Sequence, residues 1–219
     1  MGKLQDLVRT DVLSFLDNNN ELLFNERDFQ MHLATYLREL KHYDDVDVEY
    51  YVPRKDLEGY VWKSELRIDI VVQKEGEYFL IELKYKTKKV EKEITRFGEI
   101  LRNKVVVMKN QGAQDLGMYD FWKDVRRIEL VRNRFNKVKG GLVVFVTNDD
   151  FYIKGSKASS NNANFSMSQG NHSVVKHWLN PNSTCAKTHP DFEVEKEYEP
   201  QWYHKEFENI KFNCCLITI

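Results

Sequence analysis

The sequence predicts a mixed α/β protein in which helices pack on a β-sheet. Apolar residues recur at helical spacing in the first forty positions, and alternating or wholly apolar runs typical of strands follow. The chain has 219 residues, 33 Lys and Arg against 34 Asp and Glu, and 42% hydrophobic residues. This composition excludes disordered and collagen-like chains. We expect one domain over residues 1–219.

Two helices should open the chain, followed by a strand. Leu4, Leu7, Val8 and Leu13 mark the first helix, and Phe29, Leu33, Tyr36, Leu37 and Leu40 mark the second. Asn25 is expected to cap the second helix, because its side chain can accept from a free N–H of the first turn. Alternation from Val46 to Val52 predicts a strand that ends at Pro53.

The rest of the chain alternates between strands, helices and one long loop. We expect strands at about 61–73 and 78–86, a helix over 89–109, a stronger helix over 112–134, a buried central strand in GGLVVFVTN, a surface loop or mobile flap over 154–171, and further β structure from 207 to 219. The C-terminal extension, about 149–219, therefore adds β elements to the sheet.

The turn residues Glu75 and Gly76 fix the pairing of the hairpin that they join. Side chains directly opposite each other in an antiparallel pair share a face of the sheet. A two-residue turn therefore pairs Ile70 with Ile81, and it buries the apolar faces of both strands together.

The same register places two acids opposite each other. Asp69 should face Glu82, and two carboxylates about 5 Å apart repel each other. Lys84 lies on the same strand face as Glu82 and supplies one positive charge, whereas a divalent cation such as Mg²⁺ coordinates both acids. The pattern predicts a metal site with a lysine beside it. The alternative is an exposed hairpin whose charges are merely solvated, which leaves the facing carboxylates unexplained.

The hairpin resembles the motif of the PD-(D/E)XK nuclease superfamily. The resemblance consists of Asp69, an interval of strand, turn and strand, and then Glu82-Leu83-Lys84. A preceding helix, an apolar reverse face and a basic helical region afterwards strengthen the resemblance, which covers about residues 26–148. The chain departs from the motif in having Ile68 where the motif has proline.

The resemblance implies a restriction-endonuclease-like core and hydrolysis of phosphodiester bonds with Mg²⁺ or Mn²⁺. Asp69, Glu82 and the backbone carbonyl of Leu83 would hold the metal, and Lys84 would stabilise charge on the phosphate. Members of the superfamily often contribute a further glutamate from the preceding helix, which makes Glu26 a candidate catalytic residue. An acid in a first helical turn is equally favoured by the helix dipole alone. Gln30 is the substitute if Glu26 points away.

Other residues are candidates for nucleic-acid contact. Gln114 and Tyr119 resemble a Gln-x-x-x-Tyr motif of RecB-like members, although their spacing is one residue too long. Tyr119 is also a candidate core aromatic. Arg126, Arg127 and Lys86 are expected to contact phosphates without reading sequence.

Charge supports a polyanionic partner. From Lys84 to Lys109 the chain carries nine Lys and Arg against three Glu, although a solvated surface explains this equally well. We expect nucleic acid as the partner, DNA before RNA, and a homodimer if both strands are cut.

We expect a cytoplasmic protein. The three cysteines show no disulfide or zinc pattern, and the sequence contains no segment typical of a membrane span or a signal peptide. The alternative functions are a catalytically inactive nucleic-acid-binding or defence-system protein that retains the nuclease fold, and a structural or interaction protein.

Overall fold

A computed structural model shows a mixed α/β fold, as the sequence predicts, and describes residues 3–101 and 103–219. The helices are α1 (Lys3–Asn18), α2 (Glu26–Glu39), α3 (Gln114–Arg134), α4 (Phe151–Lys154) and α5 (Thr184–Thr188). The strands are β1 (Asp45–Val52), β2 (Leu66–Lys74), β3 (Glu77–Lys86), β4 (Val90–Lys92), β5 (Thr95–Arg96), β6 (Glu99–Ile100), β7 (Val105–Met108), β8 (Val138–Thr147), β9 (Val175–Lys176), β10 (Phe192–Glu193), β11 (Gln201–Phe207) and β12 (Ile210–Thr218).

A six-stranded sheet in the order β1-β2-β3-β8-β12-β11 forms the centre of the protein. All neighbouring strands run antiparallel except β3 and β8, which are parallel. Parallel neighbours need a long crossover, and here the connection contains α3. The prediction that GGLVVFVTN forms a central buried strand is confirmed by β8.

Helices cover both faces of this sheet. α1 and α2 pack on one face through a core that includes Leu33 and Ile81, and α3 packs on the other through a core that includes Trp122 and Val143. A Cβ atom at Gly141 would lie 2.6 Å from the Cγ2 atom of Ile128, so glycine permits the close approach of α3 to β8.

The N-terminal elements follow the sequence prediction closely. Both helices form, and the Asn25 side chain accepts a 2.9 Å hydrogen bond from the N–H of Asp28. The predicted strand at 46–52 corresponds to β1. The next strand begins at Leu66 rather than near 61, because the preceding residues form a loop that packs Trp62 against the α3 side of the sheet.

The predicted helix at 89–109 is wrong. These residues form the short strands β4 to β7, in which β4 pairs with β7 and β5 with β6. The turn residues Phe97 and Gly98 both have positive φ angles, 52° and 81°, as a tight hairpin turn requires. The β-branched run from Val105 to Val107 favours this extended structure over a helix.

The expectation of a surface loop at 154–171 is also wrong in part. Most of this segment lacks regular structure, but Phe165 and Met167 are completely buried against α3. The Trp122 indole N–H donates to the carbonyl oxygens of Phe165 and Ser166 at 3.0 and 3.1 Å. The segment is therefore a structural cover for the aromatic side of α3.

The C-terminal extension adds β structure, as predicted, because β11 and β12 continue the central sheet. Within the part of the chain that the structure describes, no helix combines the length and apolar character needed to cross a bilayer.

Candidate active site

The candidate site lies where β2 and β3 separate. The predicted register is confirmed by the pairing of Ile70 with Ile81, which is the last pair of the ladder at this end. Beyond it, the Asp69 Oδ2 atom accepts a 2.6 Å hydrogen bond from the backbone N–H of Leu83. A side chain thus takes the place of a backbone acceptor, and the Asp69 carboxylate is held beside the backbone of the Glu82-Leu83-Lys84 segment.

Glu82 is a buried acid without full compensation. Only 2% of the surface of Glu82 is exposed, and its Oε1 atom has no hydrogen-bond partner among the described residues. Burial raises the pKa of Glu82 well above its ordinary value, and the charges of Asp124 and Asp69 raise it further. An additional positive charge at this position would therefore stabilise the ionised carboxylate.

Asp69 shows the same tendency to a smaller extent. Burial raises its pKa to about 6, although Lys84, the Leu83 N–H and a hydrogen bond with the Glu82 carboxyl group all act to lower it. Asp69 and Glu82 therefore form a pair of acids that interact and that ionise less readily than isolated carboxyl groups.

Lys84 projects into the same region and is held from two sides. Its Nζ atom lies 2.7 Å from Asp124 Oδ2 and donates a 2.8 Å hydrogen bond to the carbonyl oxygen of Leu83. Burial acts to lower the pKa of Lys84, but Asp124, Glu26 and the two site acids outweigh it, so the pKa is raised. Lys84 is consequently a fixed cation at neutral pH.

Asp124 was not among the site residues predicted from the sequence. It lies on α3, is fully buried and also receives a 3.3 Å hydrogen bond from Arg127. These two cations lower its pKa against the effect of burial. The sequence does contain a signal: Asp124 interrupts the apolar stripe formed by Phe121, Val125 and Ile128, and an acid inside such a stripe needs a buried partner.

The N-terminus of α2 contributes both of its predicted residues to the surroundings of the site. The Glu26 Oε2 atom accepts a 3.0 Å hydrogen bond from the N–H of Tyr85, next to Lys84. The Gln30 side chain donates to the carbonyl oxygen of Asp69 at 2.8 Å and to Glu49 Oε1 at 3.1 Å. Gln30 therefore holds the backbone of Asp69, while Glu26 borders the lysine.

Tyr119 lies away from this region, in the core. It is fully buried, its hydroxyl accepts from the Trp62 indole at 2.7 Å, and that hydroxyl donates to the carbonyl oxygen of Pro190 at 2.9 Å. Its ring stacks on Trp178 with the centroids 5.7 Å apart. A side chain without exposed surface does not touch a nucleic acid, so the predicted contact at Tyr119 is corrected to a packing role.

The remaining predicted nucleic-acid contacts are largely engaged within the protein. Gln114 donates to Asp149 at 3.0 Å, and Arg126 bonds Glu129 at 3.1 Å. Arg127 bonds Asp124, Tyr60 and Ser64. Lys86 is half-buried at the end of β3. The first three side chains would have to exchange these partners to reach a phosphate.

The metal site expected from the sequence is limited to two acids. Within residues 3–101 and 103–219, no group of three or more His, Cys, Asp or Glu side chains is arranged to hold a metal ion. Comparisons of the chain with protein-family models, curated proteins and solved structures gave no match.

Proposed function

We propose that this protein is a metal-dependent nuclease that hydrolyses phosphodiester bonds, with DNA as the favoured substrate. One observation carries the proposal: the end of the hairpin brings together Asp69, Glu82 and Lys84, the three residue types of the PD-(D/E)XK motif. The surroundings support it, because α2 precedes the hairpin in the chain, α3 packs beside Lys84 through Asp124, and one face of the hairpin is apolar.

The donor set suits a divalent cation. Two carboxylates with raised pKa values lie together, and one buried oxygen of Glu82 lacks a partner. Mg²⁺ typically takes only one or two carboxylates and keeps water or phosphate oxygens as its other ligands, so a third acid is unnecessary. The Leu83 carbonyl accepts from Lys84 and retains a second lone pair. Asp69, Glu82 and the Leu83 carbonyl are the proposed ligands.

The bound metal would polarise the phosphate and supply hydroxide near neutral pH. The residues of the chain have separate roles. Lys84, fixed as a cation, stabilises the negative charge that accumulates on the phosphate during attack. Gln30 positions Asp69 through its backbone carbonyl. Glu26 lies near Lys84 and strengthens its protonated form.

A second candidate function is that of a nucleic-acid-binding protein without turnover. One contact favours it: the Lys84 ammonium group is already engaged by Asp124 at 2.7 Å and by the Leu83 carbonyl at 2.8 Å. A lysine that keeps both partners has little freedom to follow a phosphate. Under this function the pair Lys84 and Asp124 is a structural ion pair.

A cleavage assay separates the two candidates. Supercoiled, linear and single-stranded DNA and single-stranded RNA are incubated with the protein in Mg²⁺, Mn²⁺ or EDTA, together with Asp69→Asn, Glu82→Gln and Lys84→Ala variants. The nuclease predicts cleavage that requires the metal and is lost in all three variants. Binding in EDTA without cleavage in either metal supports the second candidate.

A further inference from the structure

A long β-hairpin leaves the sheet directly after the candidate site. We name residues 87–111 the basic arm, of which the structure describes all but Arg102. β4 and β7 form its lower part, and β5 and β6 form its end, where Thr95 pairs with Ile100. The turn at its tip consists of Phe97 and Gly98.

The base of the basic arm is fixed close to the site. Thr87, three residues after Lys84, donates from its hydroxyl to the carbonyl oxygen of Lys109 at 2.9 Å and accepts from the N–H of Gln111 at 2.8 Å. Met108 is buried in the core below α1 and α2. The hairpin is therefore anchored to the edge of the site by both of its strands.

The tip of the basic arm returns toward the start of α2. The guanidinium carbon of Arg96 lies 5.0 Å from the ring centroid of Phe24, two residues before Glu26. Lys92 contacts Glu208 in the turn between β11 and β12. These contacts bring Arg96, the neighbour of Phe97, against Phe24 at the start of α2, on the chain segment that carries Glu26.

The tip exposes apolar side chains without a structural reason. Phe97 is fully exposed, and Ile100 keeps 69% of its surface exposed. Phe97 also has a φ of 52°, in the left-handed region that bulky side chains rarely adopt. The turn accounts for this backbone conformation but not for a large, fully exposed ring at the position, and such exposure indicates that the ring contacts a bound partner.

The charge of the basic arm indicates the chemistry of that partner. In the sequence from Lys88 to Lys109, seven Lys and Arg stand against three Glu. Lys88, Lys89 and Lys92 are paired with Asp149, Glu91 and Glu208. Among the described residues, Arg96, Lys104 and Lys109 form no ion pair. An exposed aromatic ring on the same hairpin as unpaired cations is complementary to nucleic acid, whose bases stack on rings and whose phosphates attract cations.

We propose that the basic arm is a nucleic-acid contact in which the Phe97 ring stacks on bases and Arg96, Lys104 and Lys109 lie against phosphates. The inference rests on the proposed function for its choice of nucleic acid as the substrate. A second copy of this chain is the competing occupant, but two such arms would repel each other through their excess of positive charge.

Binding measured without metal tests the basic arm independently of catalysis. Fluorescence anisotropy of labelled single-stranded and double-stranded oligonucleotides is followed in EDTA over a series of salt concentrations. Phe97→Ala should weaken binding roughly 5- to 150-fold, since one base–aromatic stacking contact has about this effect. Phe97→Tyr should retain the affinity. Phe151→Ala, which removes another exposed phenylalanine, is the matched control and should change nothing.

The salt dependence of binding distinguishes the contribution of the Phe97 ring from that of the cations. Phe97→Ala should leave the slope of log K against log salt unchanged, whereas Lys104→Ala and Lys109→Ala should each lower it by roughly one. Equal affinity of Phe97→Ala and wild type for both oligonucleotides would overturn the proposal. A wild-type dimer that Phe97→Ala converts to a monomer without loss of affinity would overturn it in favour of self-association.

These experiments also distinguish failure of the basic-arm proposal from failure of the proposed nuclease function. Asp69→Asn should cleave nothing but should still bind the oligonucleotides in EDTA. Wild-type binding that depends on Phe97, without any metal-dependent cleavage, would support the basic arm and contradict the nuclease. Absence of wild-type binding at low salt would contradict both.

Discussion

The Nζ atom of Lys84 lies 2.7 Å from Oδ2 of Asp124, and this contact joins β3 to α3 inside the protein. Asp124 is fully buried, and its other oxygen lies 3.3 Å from Arg127. The carboxylate thus compensates two cations at once. It also fixes the ammonium group of Lys84, which we propose stabilises the negative charge on the phosphate.

Removal of Asp124 should strongly destabilise the fold. Asp124→Ala leaves Lys84 and Arg127 buried without their shared anion, and loss of one partner of a buried pair costs about 3–5 kcal/mol. Asp120→Asn is the matched control, because Asp120 pairs with Lys123 in a more exposed contact on the same helix and its loss should cost under about 1 kcal/mol. Urea denaturation measures both values. Similar losses of unfolding free energy in the two variants would show that the buried contact stabilises the fold no more than the exposed one.

The two site acids should make the stability depend on pH when no metal is present. Their pKa values are raised by folding, to about 6 for Asp69 and well above the ordinary value for Glu82. The folded chain then binds more protons than the unfolded chain, so the free energy of unfolding falls as the pH rises from about 4 toward 8. In EDTA, wild type should lose stability relative to Glu82→Gln over this range.

A divalent cation should reverse that loss. At pH 8, Mn²⁺ or Mg²⁺ at 100 times its Kd would stabilise wild type by about 2.7 kcal/mol, because the ion binds the folded state. Glu82→Gln should gain little. Thermal melts at several pH values, with EDTA or metal, provide the measurement. Equal gains in both proteins would place the metal elsewhere.

Lys176 offers a pH test remote from the carboxylates. Its ammonium group lies 3.4 Å from the centroid of the Trp122 ring and has no hydrogen-bond partner among the described residues, and burial lowers its pKa from 10.5 to about 7. His172, whose own pKa is lowered by burial and by Lys176, is the neighbouring titratable group. Below pH 7 the wild-type fold therefore contains a buried charge.

Lys176→Met should stabilise the protein below pH 7, because the apolar side chain avoids the free-energy cost of burying an unpaired charge. The unfolded lysine keeps its proton up to about 10.5, whereas the folded one has lost it above about 7, so wild-type stability rises over this interval and the advantage of the variant declines. Urea melts from pH 6 to 10 follow the difference. A destabilised variant at low pH would show that the cation–π contact outweighs the burial of the charge.

Tyr119 should matter for stability and not for nucleic-acid binding. Tyr119→Phe leaves the Trp62 indole N–H and the Pro190 carbonyl without their partner, which should cost about 1–2 kcal/mol. Anisotropy with a labelled oligonucleotide should give the wild-type affinity. Weaker binding at unchanged stability would restore the contact role that the sequence suggested.

The regular elements and the hairpin register could be predicted from the sequence because the information is local. Asn25 caps its helix, the turn at Glu75-Gly76 sets the pairing, and alternation places Ile70 and Ile81 in one core. The same register predicts that Asp69 faces Glu82 directly. In the structure the ladder ends one pair earlier, at Ile70 and Ile81, and Asp69 accepts a hydrogen bond from the N–H of Leu83.

The features that could not be predicted from the sequence depend on contacts between residues that are far apart in the chain. Asp124 meets Lys84 across forty positions of chain, and no periodicity links the two residues. Residues 89–109 contain apolar positions at helical spacing, but pairing of Val105 with Lys92 replaces the helix. Phe165 is buried by the rings of Tyr119 and Trp178, which are distant from it in the sequence.

The most direct test of the carboxylate site is the single-turnover rate of DNA cleavage by wild type and by Glu82→Gln in Mn²⁺. Asp120→Asn serves as the control for removal of an acid outside the site, and near-ultraviolet circular dichroism verifies that all three proteins are folded. We expect cleavage by wild type and the control, with no cleavage by Glu82→Gln. Cleavage by Glu82→Gln at the wild-type rate, in a protein with unchanged fold, would contradict the assignment of this carboxylate pair as the metal-dependent catalytic site.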